Sequence, residues 1–185
     1  MESVSGLGRR AAVRHEVQRS RQALYRVAYG WCHDAQLAED LAQEAIEKAL
    51  RSAAKVRDLG RLKGWLYRIL ANCLRDHYRA AREHEDLDRF ADTLADAGPG
   101  PDEAHARAQV TARVREAVAR LPLGHRQVVI LVDLEGCSYA EVGEALEIPI
   151  GTVMSRLCRA RQALRELLLP ATPEGEARER LRSVK

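Results

Sequence analysis

Apolar residues recur at intervals of three and four along most of this chain, and that spacing confines the fold to packed helices. One stripe repeats every four residues from Leu37 to Ala49, a second runs from Leu62 to Leu70, and a third from Val110 to Leu121. Aromatic residues, which favour strands, make up only 4% of the sequence, while alanine, leucine, arginine and glutamate abound. We therefore predict an all-α protein.

The helical spacing is lost in the middle of the chain, between residues 83 and 106. This segment contains Pro-Gly-Pro and is strongly acidic, with a net charge of −7 between residues 83 and 104 against +7 before it and +3 after it. Such a composition predicts an irregular linker. We predict two small helical domains, residues 24–82 and 107–169, joined by the acidic linker 83–106. The N-terminal extension (1–23) and the C-terminal tail (170–185) are mixed polar segments that we expect to be unstructured.

A proline at position 149 interrupts the last helical pattern, which restarts directly after it. Ser138 followed three residues later by Glu141 has the form of a capping box, which predicts the start of a helix. That helix must end by Ile148, because proline disfavours the helical conformation of the residue before it. Thr152 is a possible cap for the next helix. The pattern of helix, short turn and helix predicts a helix-turn-helix in the C-terminal domain.

The second helix of this pair has an apolar and a polar side. Its apolar stripe, at 3.6 residues per turn, consists of Val153, Leu157, Ala160, Leu164 and Leu167. Its polar side carries Thr152, Ser155, Arg159 and Gln162, flanked by Met154, Arg156 and Cys158. Such a side is rich in donors for base edges and phosphates in a DNA major groove. The alternative is an ordinary antiparallel helix pair whose arginines are only solvated.

The segment "LPLGHRQVVILVDLEGCSYAEVGEALEIPIGTVMSRLCRARQAL" resembles the C-terminal domain of bacterial sigma factors of the extracytoplasmic-function (ECF) group. The resemblance implies that the second helix enters the major groove of the promoter's minus-35 element. The implied contact residues are Thr152, Met154, Ser155, Arg156, Cys158 and Arg159. Two of them depart from the family, which often has a basic residue at the position of Met154 and a larger one at that of Cys158. We hypothesise that Met154 contacts thymine methyl groups.

The N-terminal domain resembles the promoter-melting domain of the same family, through "AEDLAQEAIEKAL" and "GRLKGWLYRILANCLRDHYRAAR". The first of these segments leaves an acidic surface outside its leucine stripe, which taken alone is equally consistent with a solvated helix face. The resemblance assigns this surface, chiefly Asp40, Gln43 and Glu44, to the coiled coil of the largest RNA polymerase subunit.

The second segment combines basic residues with aromatic ones on which unpaired bases can stack. Taken alone, Trp65 is more typical of a core residue. The family implies that the loop at residues 57–62 captures a base flipped from the minus-10 element and that the position of Asn72 helps to read it. The predicted minus-10 residues are Arg61, Leu62, Lys63, Trp65, Arg68, Asn72, Arg75 and Arg79. Leu62 stands where the family commonly has phenylalanine.

The acidic linker also acquires a role from the resemblance. In the family, the corresponding segment threads the polymerase channel through which RNA later leaves. A polyanionic chain there would mimic RNA and be displaced by it, a hypothesis that neutralising Glu85, Asp86, Asp88 and Asp92 tests. The alternative is a solubilising tether.

Other functional classes find little support in the sequence. It has no glycine-rich phosphate loop, nucleophile signature or zinc-ligand spacing, so we expect no enzyme activity, no metal and no cofactor. No apolar run is long enough to span a bilayer, so we expect a cytoplasmic protein without membrane insertion. The expected partners are core RNA polymerase, promoter DNA and an anti-sigma factor, and we expect a monomer outside the holoenzyme. A dimeric helix-turn-helix repressor and a protein-interaction adaptor are the alternatives; the first leaves residues 24–82 unexplained.

Overall fold

A computed structural model describes residues 2–53, 56, 58–84 and 102–169, and every regular element in these ranges is helical, which confirms the all-α prediction. The N-terminal part contains α1 (Glu2–Arg19), α2 (Arg21–Cys32), α3 (Ala35–Ser52), a 3-10 turn (Leu59–Arg61) and α4 (Leu62–His84). The C-terminal part contains α5 (Asp102–Ala119), α6 (Leu123–Val129), a π-helical turn (Ile130–Leu134), α7 (Tyr139–Leu146) and α8 (Ile150–Leu168). None of the described helices combines the length and the apolar composition that a membrane crossing requires.

The core of the N-terminal domain lies between α2, α3 and α4. The buried stripe of α3 consists largely of alanines, including Ala38, Ala42, Ala45 and Ala49, and their small side chains let the neighbouring helices approach closely. Trp31 of α2 is fully buried and fills much of the space that remains. Burial of these apolar faces, rather than helix propensity alone, stabilises such short helices.

The expectation that the N-terminal extension is unstructured is wrong. Residues 2–19 form α1, and its Val13 and Val17 are 1% and 0% exposed. These two valines lie four residues apart, so they share one face of the helix and join the core. The sequence signal for this helix is weak, because Val13 and Val17 are a single pair at helical spacing and the residues between them are polar.

The helices also extend into the predicted linker from both sides. α4 continues to His84, and α5 begins at Asp102. The acidic residues of the RNA-mimicry hypothesis fall within residues 85–101, which lie outside the described residues, as do the C-terminal tail from residue 170 onward and Arg57.

The helix-turn-helix is formed by α7 and α8, as predicted. The capping box is present: the Ser138 side chain accepts a hydrogen bond from the Glu141 backbone N–H, and the Glu141 carboxylate accepts from the Ser138 backbone N–H at 2.7 Å. These hydrogen bonds with Ser138 lower the pKa of Glu141. α7 ends at Leu146, and its C-cap Glu147 has a left-handed backbone with φ of 58°. The N-cap of α8 is Pro149 and not Thr152, so the cap predicted from the sequence is wrong.

Gly143 determines how closely the two helices of this motif meet. A Cβ at this position would lie 3.0 Å from the backbone oxygen of Ile148, in the turn that leads to α8. We expect Gly143→Val to lower the free energy of unfolding by about 2 kcal/mol in urea denaturation, because the turn must move to admit the side chain. Gly151→Val is the matched control, since no atom lies within 4 Å of a Cβ there. Equal destabilisation by both variants would contradict this interpretation.

The two domains pack against each other. α4 contacts α7, and α2 contacts both α5 and α6. Ile130 of the C-terminal domain lies directly over Gly30 of α2, where a Cβ would be 2.6 Å from its Cδ1 atom. Arg126 donates to the backbone oxygen of Trp31 at 2.6 Å and to those of Ala119 and Leu121, so it ties the end of α2 to the end of α5. A single apolar core therefore runs through both domains.

Candidate nucleic-acid and polymerase interfaces

The outward face of α8 carries the residues that the sequence analysis assigned to the minus-35 element. Val153, Leu157 and Ala160 are buried against the rest of the domain, so the remaining sides of the helix are free to face solvent. The predicted contact residues are exposed at Met154, Ser155, Cys158 and Arg159 and half-buried at Thr152 and Arg156. Met154 is 54% exposed, which is unusual for an apolar side chain and leaves it available to a partner.

The charges around α8 are arranged so that its exposed face is basic. Arg161 forms a two-pronged ion pair with Asp133 at 2.6 and 3.1 Å, and this pair ties α8 to the π-helical turn. Arg156 lies over Gly124, where a Cβ would be 2.9 Å from its Nη1 atom, and carries no ion pair within the described residues. Desolvation, together with the nearby Arg159 and Arg156, lowers the pKa of His125. The positive charge of Arg156 and Arg159 is therefore left for an anionic partner.

The acidic surface of α3 is the second predicted interface. Asp40, Gln43 and Glu44 are all exposed. Their contacts are local: Asp40 accepts from Gln36 at 3.2 Å, and Glu44 pairs with Lys48 at 2.8 Å. Such surface pairs contribute little to stability, so these carboxylates can exchange their partners at low cost.

An open cavity of about 510 Å³ lies between the C-terminal end of α3 and one side of α4. It is lined by Lys48, Arg51, Ser52, Trp65, Ile69, Asn72 and Asp76. Trp65 is half-buried at its wall, and the side-chain oxygen of Asn72 is buried with no hydrogen-bond partner among the described residues. An aromatic face, an unused amide acceptor and two cations together suit a nucleobase with its phosphate.

Lys48 and Arg51 of this cavity were missed by the sequence analysis. Their only signal in the sequence is their position at the end of α3, where cations are generally favourable for the helix dipole. Each also pairs with a nearby glutamate, Lys48 with Glu44 and Arg51 with Glu47 at 3.1 Å. From the sequence they are therefore indistinguishable from ordinary solvated pairs.

The remaining residues of the predicted minus-10 set lie elsewhere. Leu62 is 3% exposed, in the core at the start of α4, whereas Arg61 is exposed and Arg79 pairs with Asp76 at 2.6 Å. Lys63, Arg68 and Arg75 face the C-terminal domain and pair with its glutamates. The structure thus brings Trp65 and Asn72 together at the cavity and separates them from these three cations.

The contacts of the three cations are specific. Glu147 accepts from Arg68 at 2.6 Å through one oxygen and from Arg75 at 3.0 Å through the other. Hydrogen bonds from Arg75 and Arg68 hold the pKa of Glu147 below its usual value. Glu135 accepts from Tyr67 at 2.6 Å, and Lys63 donates to its backbone oxygen. Burial and this carboxylate raise the pKa of Tyr67 well above its usual range.

Two family models match the chain over these same elements. The Sigma-70 region 2 model matches residues 17–84, and the Sigma-70, region 4 model matches residues 111–164. The first range covers α2 to α4 and the second covers the helix-turn-helix, so each candidate interface lies within a matched region.

Individual relatives cover most of the chain. It is 34% identical over 160 residues to the ECF RNA polymerase sigma factor SigE of Mycolicibacterium smegmatis, spanning 85% of this chain and 62% of that one. It is 36% identical over 153 residues to the RNA polymerase sigma-H factor of Pseudomonas aeruginosa, spanning 77% and 79%. Among solved structures, the sigma factor RpoE in complex with the anti-sigma factor NepR from Bartonella quintana aligns with a TM-score of 0.64 and 26% identity, covering 83% of this chain and 94% of that one.

Proposed function

Since the chain belongs to the ECF group of the sigma-70 family of RNA polymerase sigma factors, we propose that its two domains divide the reading of a promoter between them. The chain binds core RNA polymerase and directs promoter-specific initiation, and it performs no bond chemistry of its own. α8 reads the minus-35 element as duplex, and the cavity beside Trp65 captures a base of the minus-10 element from the melted strand.

The observation that carries this proposal is that α8 packs on the domain with one side and leaves two arginines of another side unpaired among the described residues. Val153, Leu157 and Ala160 of its apolar side are buried in packing and Arg161 pairs with Asp133, while Arg156 and Arg159 remain for DNA. Arginines at the start of a recognition helix supply both phosphate contacts and base contacts in a major groove. Met154 and Cys158, which are both exposed, tune the preferred sequence through apolar contacts with bases.

The minus-10 capture is supported by the contents of the cavity. Flipping a base costs a few kcal/mol of unstacking, and a factor without ATP must recover this free energy from selective contacts. Stacking on Trp65 and a hydrogen bond to the buried oxygen of Asn72 supply such contacts, and Lys48 and Arg51 lie where a phosphate would follow the base. Arg79, which pairs with the cavity residue Asp76 at 2.6 Å, is a further candidate for a phosphate contact.

The acidic surface of α3 is the proposed polymerase-binding surface. Asp40, Gln43 and Glu44 lie on its exposed side, and their side-chain hydrogen bonds and ion pairs to described residues stay within α3. One of these is the pair of Glu44 with Lys48 of the cavity, so docking on a coiled coil leaves the face of α8 free but adjoins the cavity.

We further propose an anti-sigma partner, by analogy with the RpoE complex with NepR. The chain acts in the cytoplasm, where core polymerase is found, and is a monomer outside the holoenzyme. The acidic linker occupies the RNA exit path until the transcript displaces it. If neutralising Glu85, Asp86, Asp88 and Asp92 leaves promoter escape unchanged, this role of the linker is refuted.

Run-off transcription with purified core polymerase on fragmented genomic DNA tests the proposed function. We expect discrete start sites that require the protein and share two upstream sequence elements. Tight binding of duplex DNA by the protein alone, with no polymerase-dependent start site, would instead establish a repressor.

The cavity makes its own prediction. Trp65→Ala should reduce open-complex formation about tenfold or more, because one base loses its stacking partner. Permanganate reactivity of melted thymines measures this directly. Tyr25→Ala is the matched control, since Tyr25 is a half-buried aromatic residue of α2 that does not line the cavity. If the wild type and Trp65→Ala melt the promoter equally, the proposal that the cavity captures a minus-10 base is refuted.

A further inference from the structure

Three cations that the sequence assigns to the minus-10 element are each occupied by a carboxylate of the other domain. Arg68 and Arg75 share Glu147, and Lys63 contacts Glu135. Arg68 and Arg75 lie seven residues apart, two turns of α4, so they present adjacent guanidinium groups on one side of the helix. Glu147 bridges them with one oxygen to each, which is how a phosphate group would also be held.

The second carboxylate is more enclosed. The side chain of Glu135 is only 11% exposed and lies among Tyr67, Lys63 and Arg26, all of the N-terminal domain. Arg26 donates to it at 3.4 Å. A carboxylate so enclosed is retained only because several donors compensate its lost hydration.

The position of Glu147 connects this contact to the DNA-reading motif. Glu147 occupies the left-handed turn between α7 and α8, so the corner of the helix-turn-helix rests on α4. While it rests there, Glu147 engages one side-chain donor of Arg68 and one of Arg75. DNA and the C-terminal domain therefore compete for the same cations.

We propose that the free chain is self-masked: Glu135 and Glu147 close the C-terminal domain over the basic side of α4 and stand in for promoter phosphates until the domains part. The DNA part of this proposal rests on the proposed role of Lys63, Arg68 and Arg75, whereas the closure itself does not. Binding of polymerase or DNA shifts the chain toward the open state, because only in the open state are those cations released from Glu135 and Glu147.

The ion pairs at Glu147 are a weak part of the closed interface. Arg68, Arg75 and Glu147 are each substantially exposed, and ion pairs of this kind are weak and screened by salt. The apolar part of the interface includes the close approach of Ile130 to Gly30. Closure therefore depends on the ion pairs and the apolar contacts together, and weakening either should shift the chain toward the open state.

The test compares three variants of the full chain at low salt with the wild type. Glu135→Gln/Glu147→Gln removes the two carboxylates with little change of shape. Glu116→Gln/Glu144→Gln removes the same charge from exposed residues of α5 and α7 that do not contact the N-terminal domain through any described ion pair. Gly30→Leu opens the interface by volume alone and leaves the net charge unchanged. Circular dichroism confirms that each variant is folded.

Small-angle scattering reports closure, and binding of a fluorescein-labelled oligothymidine reports masking. We expect a larger radius of gyration and about fivefold tighter DNA binding for Glu135→Gln/Glu147→Gln and for Gly30→Leu, but less than about twofold tighter binding for Glu116→Gln/Glu144→Gln. If the two glutamine pairs match each other in both measurements, the self-masking is refuted. Expansion without a gain in DNA binding would overturn the masking and, with it, the proposed DNA role of Lys63, Arg68 and Arg75, while the closure would stand.

Discussion

Arg156→Ala/Arg159→Ala should lower promoter-specific transcription about 100-fold while leaving binding to core polymerase unchanged. Each arginine that contacts a base or phosphate contributes roughly 1–3 kcal/mol of recognition, and the two together account for a loss of this size. Neither side chain forms an ion pair within the described residues, so their removal breaks no ion pair of the fold, and circular dichroism checks that loss of the Arg156 contact with Gly124 leaves the protein folded. Run-off transcription from a promoter identified in the genomic screen measures the loss.

Arg115→Ala/Arg165→Ala is the control for this pair. It removes the same charge from exposed residues of α5 and of the last turn of α8, away from the predicted DNA-reading face. We expect it to transcribe within about threefold of the wild type, because distant exposed charges act only through the screened field. A loss equal to that of Arg156→Ala/Arg159→Ala would mean that net charge, and not the face of α8, carries recognition.

Asp40→Lys/Glu44→Lys should weaken binding to core polymerase by about 100-fold. Reversing two charges at an interface places like charges opposite each other, which costs several kcal/mol. Among the described residues, the side chain of Glu44 pairs with Lys48 and that of Asp40 accepts from Gln36, both within α3, so the fold should tolerate the change. Fluorescence anisotropy of labelled protein titrated with core polymerase measures the affinity.

The matched variant for the polymerase surface is Glu16→Lys/Glu144→Lys, which reverses two exposed charges on α1 and α7. We expect its affinity for core polymerase to stay within about threefold of the wild type. Wild-type affinity in Asp40→Lys/Glu44→Lys would place the polymerase-binding surface elsewhere on the chain.

The helices of the core and the helix-turn-helix were predictable because their signals are local. The four-residue spacing in α3 and the Ser138 to Glu141 capping box each act within one or two turns of helix. The recognition face of α8 follows from its apolar stripe by the same geometry. The error about the N-cap is also local, since α8 begins at Ile150, directly after its N-cap Pro149, and Thr152 therefore lies inside the helix.

The arrangement of the two domains was not predictable in this way. Glu135 and Glu147 lie 72 to 109 residues from the cations that they contact. The residues around a glutamate do not specify a partner so distant in the sequence. An ion pair between two helices also does not change the spacing of apolar residues along either helix. The cavity was not predictable for the same reason, because Lys48 and Arg51 come close to Trp65 only when α3 packs on α4.

Photo-crosslinking from two positions of the chain tests the division of the promoter most directly. A benzophenone side chain is placed at Cys158 on the exposed face of α8 in one variant, and at Ser52 on the cavity wall in another. In the polymerase–promoter open complex, we predict crosslinks from Cys158 to the minus-35 duplex and from Ser52 to the minus-10 strand. Crosslinks from both positions to one element, or from Cys158 to the melted strand, would contradict the account.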